Sequence, residues 1–568
     1  MSALFGFSGP PDPALAGRMA EALSHRGRQP VELDVGREGT IAFRALHESD
    51  AGLWRTSDRT LAIAGQIFEE DGEKLLEEIA ASPERINELR GFFVLVYRDG
   101  DHWRLMRDGA GRRTIYWALH EERLRFAIEP KGILAAPSFP RRIRPAAIAQ
   151  YLAFSFVPGS GTMLEGVHEL PAGHVLHWRA GDTEVRLERV FQPEKCGRDQ
   201  EDDPEFWIER FREEHARAVS DLRSVGTPYG VFLSGGIDSS IVTAEVARQT
   251  SGKVRTYAIH FGRKYPNELE HARAVAVACG TDHEEVEIHP KHFLPELRGI
   301  LWHLDDPIGD PVTVPNFALA QHASREVRFI FNGEGGDPCF GGPKNIPMLL
   351  HHWYGLARDE GFRERRYLES YRRAYEELPR LLTPEWRAQF SDEDLEGVLR
   401  PYLSEGPPSS FLDKLTTVNI REKGAHLILP KVERMLAAAG LTPLSPLFDE
   451  RLVELSFRMP SRLRLDRGIE KVVLKRAYED VIPPSIIERP KSGMRVPVHF
   501  WCQGELKHYL KKILSPKEVR RVGIFRPERV QQLLAYDTEE GPGRYGLRLW
   551  MLMTFEIWRR LVIDREPL

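Results

Sequence analysis

Cysteine is scarce in this chain. The four present, Cys196, Cys279, Cys339 and Cys502, are far apart, with no CxxC pair and no His pair at zinc-finger spacing. Neither a disulfide framework nor a structural zinc site is expected, and the usage suits a reducing compartment. No run of about 18 apolar residues is present. The start, MSALFGFSGPPDP, lacks a basic n-region and a long apolar core, so neither a membrane span nor a secretory signal is expected, and the predicted location is the cytoplasm. A formal charge of -5 leaves no basic stripe of the kind nucleic-acid binding needs. The P-loop pattern GxxxxGK[ST] is missing, as are internal repeats and low-complexity tracts.

What remains is a soluble globular composition, 42% hydrophobic and 29% charged over 568 residues, enough for two to four domains. Up to about residue 190 the chain alternates in short segments: GTIAFRAL, TLAIAGQIF, GFFVLVYRDG, DHWRLMRDGA, RTIYWAL and RLRFAI. These predict antiparallel strands. PALAGRMAEALSHRG and GEKLLEEIAASPERINELRG carry helical periodicity, so residues 1–192 predict a layered α+β domain. A polar, acidic linker is expected at 193–205. From 206 to 568 buried strands (YGVFL, KVRTYAIHF, VRFIFNG) alternate with helical patterns, which predicts an α/β domain on a parallel sheet, with a largely helical region from about 350 to 480.

The sharpest local signal is YGVFLSGGIDSS, Tyr229 to Ser240, an apolar strand running through Ser234, Gly235 and Gly236 into a helix. Two glycines admit a phosphate close to the backbone, the first helical N–H groups point at it, and Ser234, Ser239 and Ser240 add hydroxyls. Asp238 beside a polyanion is repulsive unless a cation lies between them, which makes it a Mg²⁺ ligand. The competing structural reading is an ordinary strand-turn-helix connection with capping serines.

SGGIDSS resembles the pyrophosphate-binding loop of the adenine-nucleotide α-hydrolase-like synthetases, and the whole chain resembles the asparagine synthetase family. FIFNGEGGDPCFGG, 329–342, resembles the family's second nucleotide motif. IPPSIIERPKSGMRVP resembles its Arg-x-Lys-x-Gly-Phe-x-Val-Pro segment. The resemblance implies an Ntn-hydrolase-like antiparallel sandwich of the class II glutamine amidotransferase type, followed by a parallel-sheet synthetase domain. It implies ATP and Mg²⁺ as cofactors, with Asp238 and Asp337 sharing the metal. Leu233, Ile259, Asn332 and Gly333 would line the adenosine site, Glu334 would face the reactive carbonyl, and Lys491 would be the catalytic cation. Glu433, where the family usually has Asp, is a second candidate base, with a structural ion pair to Lys431 or Arg434 as the competing reading. In that chemistry a carboxylate attacks the α-phosphate of ATP, and an amine then displaces AMP from the acyl-adenylate.

The departures from the family are informative. Thr442 and Leu444 replace a Glu and an Arg near the acyl site, and Pro338-Cys339 replaces a usual Glu after Asp337. In the first domain Ser2 stands where glutamine-using members have cysteine, SHRGRQP at 24–30 has lost Pro-Asp, and Ala64, Gln66 and Arg90 replace an amide and two acids that grip glutamine. Such a pocket rejects an α-ammonium, so no glutaminase activity is expected. The amine then comes from elsewhere. Lasso-peptide cyclases, which join a peptide's N-terminal amine to an Asp or Glu side chain, are the leading reading; they imply a peptide substrate, a leader-binding protein and a leader peptidase. Runners-up are an ammonia-using asparagine-synthetase-like ligase and a β-lactam-synthetase-like cyclase of a small amino acid, the last weakened because that enzyme has Tyr at the position of Glu334. A catalytically dead ATP-binding scaffold is the non-enzyme alternative.

Overall fold

The computed structural model describes residues 2–568 except 48–51, 69–70, 343–344, 356–359, 372, 407–409, 490–494 and 537–544. The first domain carries twelve strands: β1 (Ala3–Ser8), β2 (Glu32–Gly36), β3 (Gly39–Arg44), β4 (Leu53–Arg55), β5 (Arg59–Ile67), β6 (Gly91–Asp99), β7 (His102–Arg107), β8 (Tyr116–His120), β9 (Arg123–Ala127), β10 (His168–Glu169), β11 (His174–Arg179) and β12 (Arg186–Arg189). They form two six-stranded antiparallel sheets, ordered β10-β8-β9-β1-β3-β2 and β12-β11-β7-β6-β5-β4. β6 shows why its sequence is apolar at nearly every position. Val94 and Val96 face the core between the sheets, while Phe93, Leu95 and Tyr97 face a second core under the Gly72–Ala81 helix, because successive side chains point to opposite faces. That helix starts on Asp71, whose carboxylate accepts the Glu73 and Lys74 N–H groups at 3.1 and 3.0 Å, a cap worth about 1 kcal/mol.

The second domain is built on five parallel strands, β13 (Tyr229–Phe232), β14 (Arg255–His260), β15 (Asp282–Glu287), β16 (Phe329–Phe331) and β17 (Thr442–Leu444), in the order β15-β14-β13-β16-β17. The path runs outward from β13 through β14 to β15 and then returns to the far side of β13 as β16. The reversal puts a crevice at the carboxyl ends of β13 and β16, where open α/β sheets bind ligands. Thr442 and Leu444, placed near the acyl site by sequence, form the edge strand β17. Pro443 between them lacks an N–H, which an edge position tolerates.

The two domains share one apolar core. The Pro145–Phe154 helix is buried from Ala146 to Phe154, and the Tyr151 hydroxyl donates to the Met551 carbonyl at 2.8 Å, in the Tyr545–Val562 helix. Among the described residues no helix is long and apolar enough to cross a membrane, and the four cysteines are unpaired with one another.

Candidate active site

The β13 strand delivers its chain to the crevice at Leu233, whose N–H donates to the Tyr257 carbonyl at 2.9 Å. The turn that follows requires glycine at 235: φ is +77°, and a Cβ there would lie 2.6 Å from the Ala272 nitrogen. Gly236 caps the Ile237–Arg248 helix without a side-chain bond. Serine hydroxyls shape the loop instead. Ser239 Oγ takes the Ser234 N–H at 3.2 Å and lies 3.1 Å from Ser234 Oγ, and Ser240 Oγ donates to the Gly236 carbonyl at 2.8 Å. The result is a concave loop at a helix start, the geometry that binds phosphates.

β16 brings the second motif alongside. Asn332 Oδ1 accepts the Glu334 N–H at 3.1 Å and the Ser445 hydroxyl at 2.9 Å, and its Nδ2 is buried without a partner, a donor available to a ligand. Leu233, Ile259, Asn332 and Gly333 all fall at the carboxyl ends of β13, β14 and β16. Gly333 lets the two loops touch, since a Cβ there would lie 2.5 Å from the Ser239 nitrogen. A Cβ on Gly336 would overlap Asp238 Oδ1. Gly336→Ala is therefore expected to displace the Asp238 carboxylate and lower carboxylate-dependent exchange of labelled pyrophosphate into ATP by about 100-fold, with little change in melting temperature; full exchange would show that Asp238 is not held by this contact.

Between Asp238 and Asp337 lies a residue that sequence reading missed. The Lys471 ammonium donates to Asp238 Oδ1 and Oδ2 at 2.8 and 2.5 Å and to Asp337 Oδ1, and the lysine is buried. The two carboxylates thus converge on one cation-sized point. Two carboxylates completed by phosphate oxygens are the usual protein share of a Mg²⁺ site, so Asp238 and Asp337 fit that ion; among the described residues no group of three or more potential metal ligands exists, here or elsewhere. Lys471 also breaks local rules. It caps the Val472–Ala477 helix with φ +60°, where a positive charge opposes the helix dipole. A lysine misplaced by local rules was the signal available in RGIEKVV. Lys491, assigned the cationic role, lies outside the described residues.

These loops coincide with a family match. The model described as "Asparagine synthase" covers residues 210–560. The chain belongs to the asparagine synthase family. A second model, "Glutamine amidotransferase domain", matches 60–190. Among curated relatives, asparagine synthetase [glutamine-hydrolyzing] 1 of Bacillus subtilis (strain 168) is 26% identical over 513 residues, 85% of this chain and 79% of the relative. The carboxyethyl-arginine beta-lactam-synthase of Streptomyces clavuligerus is 25% identical over 522 residues, 85% of this chain and 86% of the relative. As an asparagine synthase family member the protein is an ATP-using carbon–nitrogen ligase that forms AMP and pyrophosphate.

The remaining asparagine-synthase candidates lie at the domain boundary. Glu433 is paired neither with Lys431, which donates to Asp310 at 2.6 Å, nor with Arg434, which binds the Leu304 carbonyl and the Tyr116 hydroxyl. Its partner is Arg26 of the first domain, through both oxygens, one at 3.1 Å. Burial alone would raise the Glu433 carboxyl, and the Arg26 guanidinium outweighs it and holds the group below its usual range. Arg26 also binds Glu129. Glu433 therefore stands in an interdomain ion cluster, with its carboxylate committed to Arg26. Arg90 likewise reaches across the boundary, to Glu454 at 3.3 Å and Glu450 at 3.7 Å.

Proposed function

We propose that the protein joins a carboxylate to an amine through an acyl-adenylate without taking nitrogen from glutamine, and that its product is a peptide macrolactam of the lasso type. The observation that carries the glutamine-independent reading is the state of the first domain's nucleophile position. Ser2 is buried and borders a cavity of about 10 Å³, shared with Ala64, Gly65, Arg113 and Glu433, which is room for roughly one water. A second void of the same size beyond Arg113 is bordered by Pro443 and Ser445. Between them the Arg113 guanidinium stacks 4.6 Å from the centre of the Phe92 ring. Charged side chains thus occupy the ground between Ser2 and Asn332.

In the proposed reaction the SGGIDSS loop cradles the ATP phosphates, and Asp238 and Asp337 would hold Mg²⁺, which when bound would supply positive charge to the leaving pyrophosphate. Lys471 places a desolvated ammonium beside the charge that develops there, which stabilises the transition state more than the ground state. Glu334 sits on the loop facing the crevice, where it can take a proton from the attacking amine. Thr442 and Leu444, carrying no charge, support an acyl donor other than free aspartate. The peptide reading further proposes a separate leader-binding protein and leader peptidase as partners in the cytoplasm. Cyclisation of a small amino acid is kept as the second reading because of the likeness to the beta-lactam-synthase.

Incubation of a precursor peptide with the enzyme, ATP, Mg²⁺ and the partner proteins is expected to yield a product lighter by one water. Intact precursor after complete ATP turnover would reject the peptide reading. Ser2→Ala is expected to leave ligation within about twofold of wild type, as befits a residue outside the reaction; neither form should release glutamate from glutamine. Ser2-dependent release of glutamate would overturn glutamine independence.

A further inference from the structure

A cavity of about 280 Å³ lies between the domains, and its lining includes none of the nucleotide-loop residues. The first domain and the segment after it contribute Arg189, Glu194 and Lys195; the second contributes Lys414, Arg421 and Glu422. The carboxylates are already engaged. Glu194 is shared by Arg189 and Arg421, and Glu422 accepts the Gly159 N–H at 2.8 Å. Four cations against two carboxylates leave two positive charges on the lining.

The arginines carry unmet hydrogen bonds. Arg421 is 6% exposed; its terminal nitrogens donate to the Ala172 carbonyl at 3.0 Å and the Phe191 carbonyl at 2.5 Å, yet its Nε is buried without a partner. Arg189 Nε is in the same position. Both Nε atoms are closed to solvent and do not open on the cavity, which leaves the Lys195 and Lys414 ammonium groups as the donors that a ligand could reach. Among the described residues Lys414 donates to one acceptor, the Leu403 carbonyl at 3.1 Å, and can make three N–H bonds. Net positive charge, an ammonium with donors to spare and a volume near the lower end of small-ligand sites describe one chemistry.

We propose that this cavity binds a small oxyanion of charge -2, a phosphate or a dicarboxylate, as an accessory ligand separate from the nucleotide. Its wall is the π-helix Asn419–Ile428, a form that appears frequently at functional sites. The helix also faces the catalytic loops: Asn419 donates to Asn345 at 3.3 Å, and Gly424 packs on Phe448, just after Ser445, which holds Asn332. A bound anion therefore touches an element that supports the nucleotide crevice.

The test is isothermal titration of the full-length protein with inorganic phosphate and, separately, with succinate, at constant ionic strength. Saturable binding of at least one is expected in the wild type. It should weaken at least tenfold in the Lys195→Ala/Lys414→Met double variant and be unchanged in Asp238→Asn, whose lesion lies in the phosphate loop. Whichever anion binds more tightly identifies the class. No saturable binding of either up to about 10 mM, equal binding by the double variant, or loss of binding in Asp238→Asn would each overturn the proposal. The outcome does not depend on which amine or carboxylate the ligase joins. Should the double variant misfold, Lys414→Met alone supplies the comparison, since among the described residues that ammonium donates to one backbone carbonyl, that of Leu403.

Discussion

Lys471→Met is expected to lower carboxylate-dependent pyrophosphate exchange and amide formation together, by about 100- to 1,000-fold, the range seen when one electrostatic stabiliser is removed from an active site. The reason lies in the bonds that one ammonium makes. It donates to both oxygens of Asp238 and to Asp337, so its removal leaves two carboxylates facing one another where phosphates must also bind. If the proposed Mg²⁺ site is correct, extra Mg²⁺ should restore some nucleotide binding, because it would meet the same two carboxylates, without restoring the rate. Lys471→Arg should also fail, since a planar fork cannot replace a compact ammonium where three carboxylate oxygens converge on one point. Wild-type exchange in Lys471→Met would remove the lysine from the adenylation step, and loss of amide formation alone would assign it to the second step.

Arg26→Met is expected to destabilise the protein by about 3–5 kcal/mol, the effect of stripping one partner from a buried ion cluster. Arg26 is 1% exposed and binds Glu129 and Glu433, so the variant leaves Glu433 buried without its cation. The effect has a predictable pH dependence. In the folded wild type both carboxyls lie below their ordinary value of 4.5: burial opposes the shift, and the surrounding cations, Arg26 foremost with Lys131 and His25 at Glu129 and Arg113 and Arg434 at Glu433, together outweigh it. A depressed carboxyl contributes stability that is present above its unfolded pKa and lost as pH falls through the folded one. Denaturant melts of the two proteins should therefore differ most at neutral pH and converge as pH drops below about 4.5. The Arg26→Met/Glu433→Met pair should recover much of the loss, as expected of coupled residues. A single variant as stable as the wild type would show that the cluster contributes nothing to stability.

Sequence reading works best in this chain where the chemistry is local. The turn after β13 needs glycine at 235 and hydroxyls at 234, 239 and 240, all within seven residues, so SGGIDSS is legible as a strand-turn-helix junction whose shape its own residues set. β6 was legible because both its faces are covered and its residues are accordingly apolar. Lys471 was hidden because its partners lie 233 and 134 residues away, and nothing in RGIEKVV says which carboxylates it meets. Glu433 was read through its helix neighbours, whereas its partner is 407 residues distant. β17 escaped because three residues with a central proline carry no strand signal of their own and take their shape from β16.

The ion pairs that cross the boundary bear on what can be removed from this protein. Glu450 accepts the Gly109 N–H at 2.7 Å, and burial pushes its carboxyl up to about 7; Glu433 depends on Arg26, and Arg90 reaches Glu450 and Glu454. A chain truncated to start at residue 206 would keep the phosphate loop, both aspartates and Lys471. It would also uncover the apolar face that met the Pro145–Phe154 helix and strip Glu433 of its counter-charge. The second domain has been built to be finished by the first, so excision of the amidotransferase half should yield an insoluble fragment rather than a minimal ligase.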